Sequence, residues 1–416
     1  MKEVVVIGAG VIGLCSAVYS AQRGWKVTVI DRNSEDHQGC SYGNAGMIVP
    51  SHFIPLAAPG AVSLGLRWMT NPESPFWIKP RLDAALLDWG IKFWRASNAR
   101  HVKRAAPLLR DLHLASRNCF ERLATESGNA FGLVQKGLLA LCKTEHALEE
   151  EARVAEQARG LGVPAEVLDP RQTAALDPNV TMDVAGAVYF PRDCHLIPKQ
   201  FMESLESLAR QSNVKFLFKC EAEGFVVEGN HLSAVKTNEG ELPASAFVLA
   251  GGSWSSGLAS TLGLKLPMQP GKGYSLTLEN PPQLPSICSI LTEARVAVTP
   301  MGKALRAGGT MEMAGLNEEI NPRRVQGIIK ALPRYFPRFS ERDFENVKPW
   351  QGLRPVSPDG LPFLGKTRRF ANLLIATGHA MMGLSLGPIS GKIISELLCG
   401  SPPSIDVGLL DPDRYN

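Results

Sequence analysis

Val4 to Ile7 is an unbroken run of apolar residues, the pattern of a strand buried on both faces of a parallel sheet. Val11 to Arg23 then places Leu14, Val18 and Ala21 on one face of a helix, and Val27 to Ile30 repeats the first pattern and ends on Asp31. This strand–helix–strand order is not continued. Residues 50–80 carry Pro, Trp and Phe with no period, which predicts irregular covering structure: a lid, a substrate wall, a membrane-contacting surface or a plain packed layer. Helical spacing returns over 83–126, with Leu82, Leu86, Trp89 and Phe93 on one face, and Pro107 predicts the start of a further helix. Leu138 to Cys142 and Gly186 to Phe190 read as strands around a charged helix from Glu145 to Leu161, a region without βα alternation that suggests an inserted α+β unit.

Alternation resumes with a helix over Pro198 to Gln211, a strand over Val214 to Phe218, a hairpin around Glu228 to Asn230, and a buried strand over Ala246 to Leu249. A second strand-rich excursion covers Leu266 to Leu278, Val296 to Pro300 and Ala304 to Gly308, followed by a helix over Pro322 to Phe336. The chain closes with a strand over Leu373 to Ala376 and a helix over about Ile389 to Leu398.

Between the first strand and helix, Gly8, Gly10 and Gly13 stand at G-x-G-x-x-G spacing. Those glycines allow a tight turn, close approach of a pyrophosphate, and close strand–helix packing, while the uncapped helix start at Val11 and Ile12 attracts phosphate. Asp31, with Arg32 beside it, stands where a carboxylate meets ribose hydroxyls, which disfavours a 2′-phosphate and so favours NAD or FAD over NADP. An uncharged stretch from 4 to 21 also suits a signal peptide or membrane anchor, but the glycines interrupt it and a strand ending in an acid follows at once. A glycine-rich turn without a ligand is the remaining alternative.

At 416 residues the chain has room for two domains, and 44% hydrophobic with 20% charged residues is a globular composition. A net charge of +4 with no basic run excludes nucleic acid as a partner. The eight cysteines form no C-x-x-C pair and suit reduced thiols in a cytoplasmic compartment. Histidine spacing offers no metal site, so none is expected. Between Gly39 and Pro50 the small residues Gly39, Ser41, Gly43, Ala45 and Gly46 concentrate, and this segment can pass close against a flat ligand. His52 follows, either a structural histidine or one lining a pocket.

The N-terminal fingerprint, CSYGNAGMIVP at 40–50, AGGSWS at 250–255, and GLRPVSPDGLPFLG with LLIATGHAMMGLSLGP towards the C-terminus resemble the D-amino-acid oxidase–glycine oxidase superfamily of FAD enzymes. The bacterial D-amino-acid dehydrogenase branch is the most similar. The resemblance implies an α/β nucleotide-binding (Rossmann-like, FAD) domain from discontinuous segments, 1–80, 195–265 and 345–416. It also implies an α+β substrate domain, 81–194 and 266–344, with a mostly antiparallel sheet.

Carried over by position, Gly8, Gly10, Val11, Ile12, Gly13, Asp31 and Arg32 would hold the ADP half of FAD. Ser41, Asn44, Ala45 and Gly46 would lie along the pyrophosphate and flavin, and Ala250 and Gly251 would close the diphosphate site. Gly378, His379, Met382, Gly383 and Leu384 would meet the flavin ring. Arg354 would grip a substrate carboxylate through a planar fork; its alternative is a salt bridge to Asp359. Tyr274 would be a second substrate contact, with His52 also in the pocket, and Arg306 is a further candidate whose strand can point it outwards.

The implied activity is oxidative deamination or dehydrogenation of D-amino acids, cyclic ones such as D-proline or hydroxy-D-proline included, by hydride transfer from Cα–H to flavin N5. Its acceptor would be oxygen or a respiratory quinone, the latter allowing peripheral contact with the cytoplasmic membrane; a homo- or hetero-oligomer is compatible. The lack of cysteine from Pro355 to Gly365 implies non-covalent FAD. The competing readings are a glycine/sarcosine-type amine oxidase, an NAD-dependent dehydrogenase, and a non-catalytic flavoprotein subunit.

Overall fold

A computed structural model describes residues 2–36, 39–69 and 71–416; the end of the polar stretch from Asn33 to Gln38 therefore lies outside the described residues. The sequence's first two strands become the middle of a six-stranded sheet. Its order is Phe363–Lys366, Leu373–Thr377, Ala246–Leu249, Glu3–Ile7, Lys26–Asp31, Lys215–Phe218. All neighbours are parallel except the first pair. The apolar runs predicted this: Val4, Val6, Val27 and Val29 pack into one cluster while Val5, Ile7 and Ile30 pack into another, so these strands are covered on both faces.

The second sheet has nine strands in mostly antiparallel order. Its long members are Gln269–Leu278 and Ala304–Met313, with Trp350–Val356 at one edge and Leu138–Cys142 and Gly186–Phe190 towards the other. Alternation sorts its two faces. Tyr274, Leu276, Val298, Ala307 and Leu291 pack under the helix Pro322–Tyr335. Leu138, Ala140, Cys288, Ile290 and Ala297 turn the other way, onto Met47, Val49, Phe53 and Ile54. Strands 76–78 and 350–356, which fall inside the expected FAD-binding segments, hydrogen-bond into this nine-stranded sheet.

Three local expectations differ. Pro107 lies inside a single helix, Ala99–Glu126, because buried Ala105, Ala106, Leu109 and Leu112 hold the helix together across the missing N–H. The last helix begins at Gly383, one and a half turns before Ile389, since glycine, serine and proline mask a helix whose packing is supplied by the first helix. Within 50–80 there is a helix, Ala61–Trp68, and a strand, Phe76–Ile78, too short to show a period.

Candidate active site

At the first strand–helix junction Gly8 has φ +109°, and a Cβ there would lie 2.6 Å from the Ala250 carbonyl oxygen; a Cβ on Gly13 would collide with the Gly8 carbonyl. The close crossing of the Gly8 turn over Ala250 therefore exists only with glycine at position 8. The first helix has no capping side chain of its own at Gly10. Ser41 reaches across and accepts from the Val11 N–H at 3.0 Å, where a phosphate oxygen would also be attracted. Asp31 accepts from the Ala9 N–H at 2.8 Å, so its carboxylate is fixed beside the glycine turn. Arg32 lies over the Trp254 ring, 4.0 Å from its centroid. This cradle fits a dinucleotide of the FAD kind.

The loop that follows is tied to the nine-stranded sheet. Arg306 does not point outwards: its Nη1 donates to the carbonyls of Tyr42 (3.1 Å) and Asn44 (2.9 Å), and its Nε to Thr277 Oγ1 at 3.0 Å. Burial lowers its pKa. Asn44 in turn accepts from the Gly46 N–H at 2.8 Å. Ala45 and Gly46 lead directly into Met47–Ile48, which pairs with Cys194–His195. Val49 N–H donates to Ser385 Oγ at 3.1 Å, joining this segment to the last helix.

On the C-terminal side Gly378, His379 and Met382 lie between the strand Leu373–Thr377 and the last helix, whose first residues are Gly383 and Leu384. His379 Nε2 is 2.9 Å from Ser390 Oγ and its buried Nδ1 has no partner among the described residues; burial holds its pKa down at about 3, so the ring is neutral. His113 shares Ser385 Oγ at 2.9 Å and touches Met382 Sδ at 3.3 Å, an anchor from the helix 99–126 that the sequence did not reveal.

Arg354 sits on the strand Trp350–Val356 opposite Gly271 of the strand Gln269–Leu278. Its guanidinium lies flat over Gly273, where any Cβ would collide with it. Nη1 donates to the Thr310 carbonyl at 2.5 Å. Thr310 has φ +68°, a left-handed conformation unusual for threonine, at a bulge where the register slips between Lys272 and Tyr274. The bulge aims that carbonyl at the arginine. Arg354 is deep in the protein yet keeps accessible surface, and burial pulls its pKa down; what opposes this is the Cys40 thiol rather than a carboxylate. The alternative partner Asp359 is taken by Arg414, Nε to Oδ2 at 2.7 Å and Nη2 to Oδ1 at 3.1 Å. Among the described residues Arg354 thus makes no ion pair.

Tyr274 is not brought to this place. It alternates to the opposite face, is 1% exposed, and donates to Glu312 Oε2 at 2.5 Å beneath the helix Pro322–Tyr335. The strand that carries Tyr274 is readable from its local pattern, but the face Tyr274 takes depends on pairing register. The segment carrying His52 comes to the Arg354 side: Phe53 joins the cluster of Ala140, Cys288 and Ile290, and Leu56 that of Val356 and Met311.

Fold and cradle define a dinucleotide-binding oxidoreductase. The family model described as DAO, FAD dependent oxidoreductase, matches residues 3–397, and the chain belongs to that family. It is 34% identical to a D-amino acid dehydrogenase of Bradyrhizobium diazoefficiens over 99% of both chains. It is 33% identical to one of Rhizorhabdus wittichii over 99% of this chain and 100% of that one. Among solved structures, glycine oxidase of Geobacillus kaustophilus superposes with a TM-score of 0.79 at 22% identity over 100% of both chains. L-proline dehydrogenase of P. horikoshii superposes with a TM-score of 0.72 at 20% identity, over 100% of this chain and 97% of the other; both likenesses are of fold. The cofactor of this family is FAD. Among the described residues no helix is long and apolar enough to cross a membrane, and no cluster of His, Cys, Asp and Glu could hold a metal ion.

Proposed function

We propose that this FAD-dependent oxidoreductase dehydrogenates D-amino acids, cyclic D-imino acids included, with Arg354 holding the substrate carboxylate. The observation that carries the reading is a deep guanidinium with no carboxylate of its own. A cation in that state is costly unless an anion is supplied, and the planar fork suits a carboxylate. Gly273 lets the fork lie against the strand, and the Thr310 carbonyl fixes its rotation, so the remaining nitrogens are pre-oriented. Bound non-covalently in the cradle, FAD supplies the acceptor for the Cα hydride. The D configuration is supported by the relatives' names at a third identity over the whole chain. The test is dye-coupled turnover over a panel of D- and L-amino acids, proline analogues included. Turnover confined to D-acids or D-imino acids is expected; exclusive turnover of L-acids, or none, overturns the reading.

The electron acceptor we place at a membrane surface. The helix Ala84–Ala96 exposes Leu87 (65%), Ile91 (51%) and Trp94 (66%), next to Leu82, with Arg95 and a Lys92–Asp88 ion pair interleaved. An exposed apolar row of this kind suits a bilayer surface. Flotation with anionic vesicles should carry the wild type upward and leave Leu87→Asp/Trp94→Asp behind; equal flotation would refute the contact.

A further inference from the structure

His52 is held by a relay that no part of the carboxylate grip needs. Asp193 is fully buried. Its Oδ1 accepts from the Ser51 N–H at 3.1 Å and its Oδ2 from the Ser51 hydroxyl at 2.5 Å. Ser51 Oγ is also 3.1 Å from His52 Nδ1. A hydroxyl has one proton. Above about pH 7, where Asp193 is ionised, that proton goes to its carboxylate and Ser51 can only accept from His52, so Nδ1 carries the ring proton and Nε2 is left with its lone pair. Nε2 has no hydrogen-bond partner among the described residues and is not one of the buried orphan atoms, so it opens onto accessible space.

The segment that carries this ring is on the substrate side. Residues 47–57 run across the face of the nine-stranded sheet that also bears Arg354, from Leu138 and Cys288 at Phe53 to Val356 and Met311 at Leu56. The ring stays neutral as an acceptor, because burial depresses its pKa to about 4.

Resting on the amino-acid reading above, we propose that His52 is a specificity-determining residue whose Nε2 accepts a hydrogen bond from a hydroxyl on the substrate, with Ser51 and Asp193 as positioning residues that fix its tautomer. The preferred substrates are therefore hydroxylated D-amino or D-imino acids. Asp193→Asn inverts the relay without changing its shape. The amide donates to Ser51 Oγ, Ser51 donates to His52 Nδ1, and Nε2 becomes a donor.

Two measurements test this on the FAD-loaded enzyme. Long-range 15N–1H correlation of histidine-labelled protein above pH 8 should show His52 protonated at Nδ1 in the wild type and at Nε2 in Asp193→Asn. The ratio of kcat/KM for cis-4-hydroxy-D-proline over D-proline, and for D-serine over D-alanine, is the second. At least one pair should favour the hydroxylated member by about tenfold or more in the wild type. That preference should vanish in His52→Leu and return in part in His52→Gln; in Asp193→Asn the substrate hydroxyl has to turn and accept from Nε2–H, and the preference should fall. A wild-type tautomer protonated at Nε2, or ratios near one for both pairs, overturns the proposal while leaving D-amino-acid turnover standing. If no D-acid turns over, the parent reading fails and the tautomer alone decides the relay.

Discussion

Replacing Arg354 by leucine removes the guanidinium and leaves the strand intact. The fold loses one hydrogen bond, Nη1 to the Thr310 carbonyl, a contribution of about 1 kcal/mol. It also loses a buried cation that lacks a carboxylate partner, whose removal works in the opposite direction. The two offset, so the thermal midpoint should hardly move. The substrate loses a charge-assisted, fork-shaped contact in a desolvated place, a truncation that costs about 2–5 kcal/mol. At about 1.4 kcal/mol per factor of ten, affinity should fall by roughly 30-fold to a few thousand-fold. Arg354→Lys keeps the charge but not the fork and should fall between. The assay is anaerobic titration of the enzyme-bound flavin with the best D-substrate, read as the half-saturating concentration, beside the FAD content of each variant. An unchanged half-saturating concentration in Arg354→Leu, with FAD retained, refutes the assignment.

Three further outcomes follow from neighbouring geometry. Gly273→Ala should reproduce much of the Arg354→Leu defect, because the added Cβ would collide with the guanidinium; wild-type substrate affinity in that variant, measured by the same titration, would contradict the packing. Arg306→Leu frees the carbonyls of Tyr42 and Asn44 and should raise the FAD dissociation constant by about tenfold or more, measured by equilibrium dialysis. Stability should fall from about pH 4 to about pH 7 because of Asp193. Burial raises its folded pKa from 3.8 to about 7, so its proton stabilises the fold below about pH 4 and that stabilisation is lost as pH rises through 7. The size is up to about 4 kcal/mol at 1.36 kcal/mol per decade of proton affinity. Asp193→Asn should flatten this decline in denaturant unfolding.

The sequence made the cradle legible because its constraints are local: Gly8, Gly10, Gly13 and Asp31 act within one βαβ unit. The motif around Arg354 made it a candidate before its surroundings were known. What was not legible depends on register. Tyr274 and Arg306 lie on adjacent strands, yet one faces the helix Pro322–Tyr335 and the other the cofactor loop, and a slip of one residue would exchange such faces. The Thr310 bulge and the Ser51–Asp193 contact join residues 44 and 142 positions away in sequence, so no local pattern marks them.

The central claim is that this chain holds FAD and that a D-amino or D-imino acid, gripped by Arg354, reduces it. Anaerobic mixing of the yellow enzyme with its best D-substrate measures this directly. The account predicts that the flavin absorbance bleaches with one substrate consumed per flavin, that the L-enantiomer leaves it unchanged, and that Arg354→Leu needs far higher concentrations. A flavin that stays oxidised with every D-acid, or bleaches equally in Arg354→Leu, would contradict it.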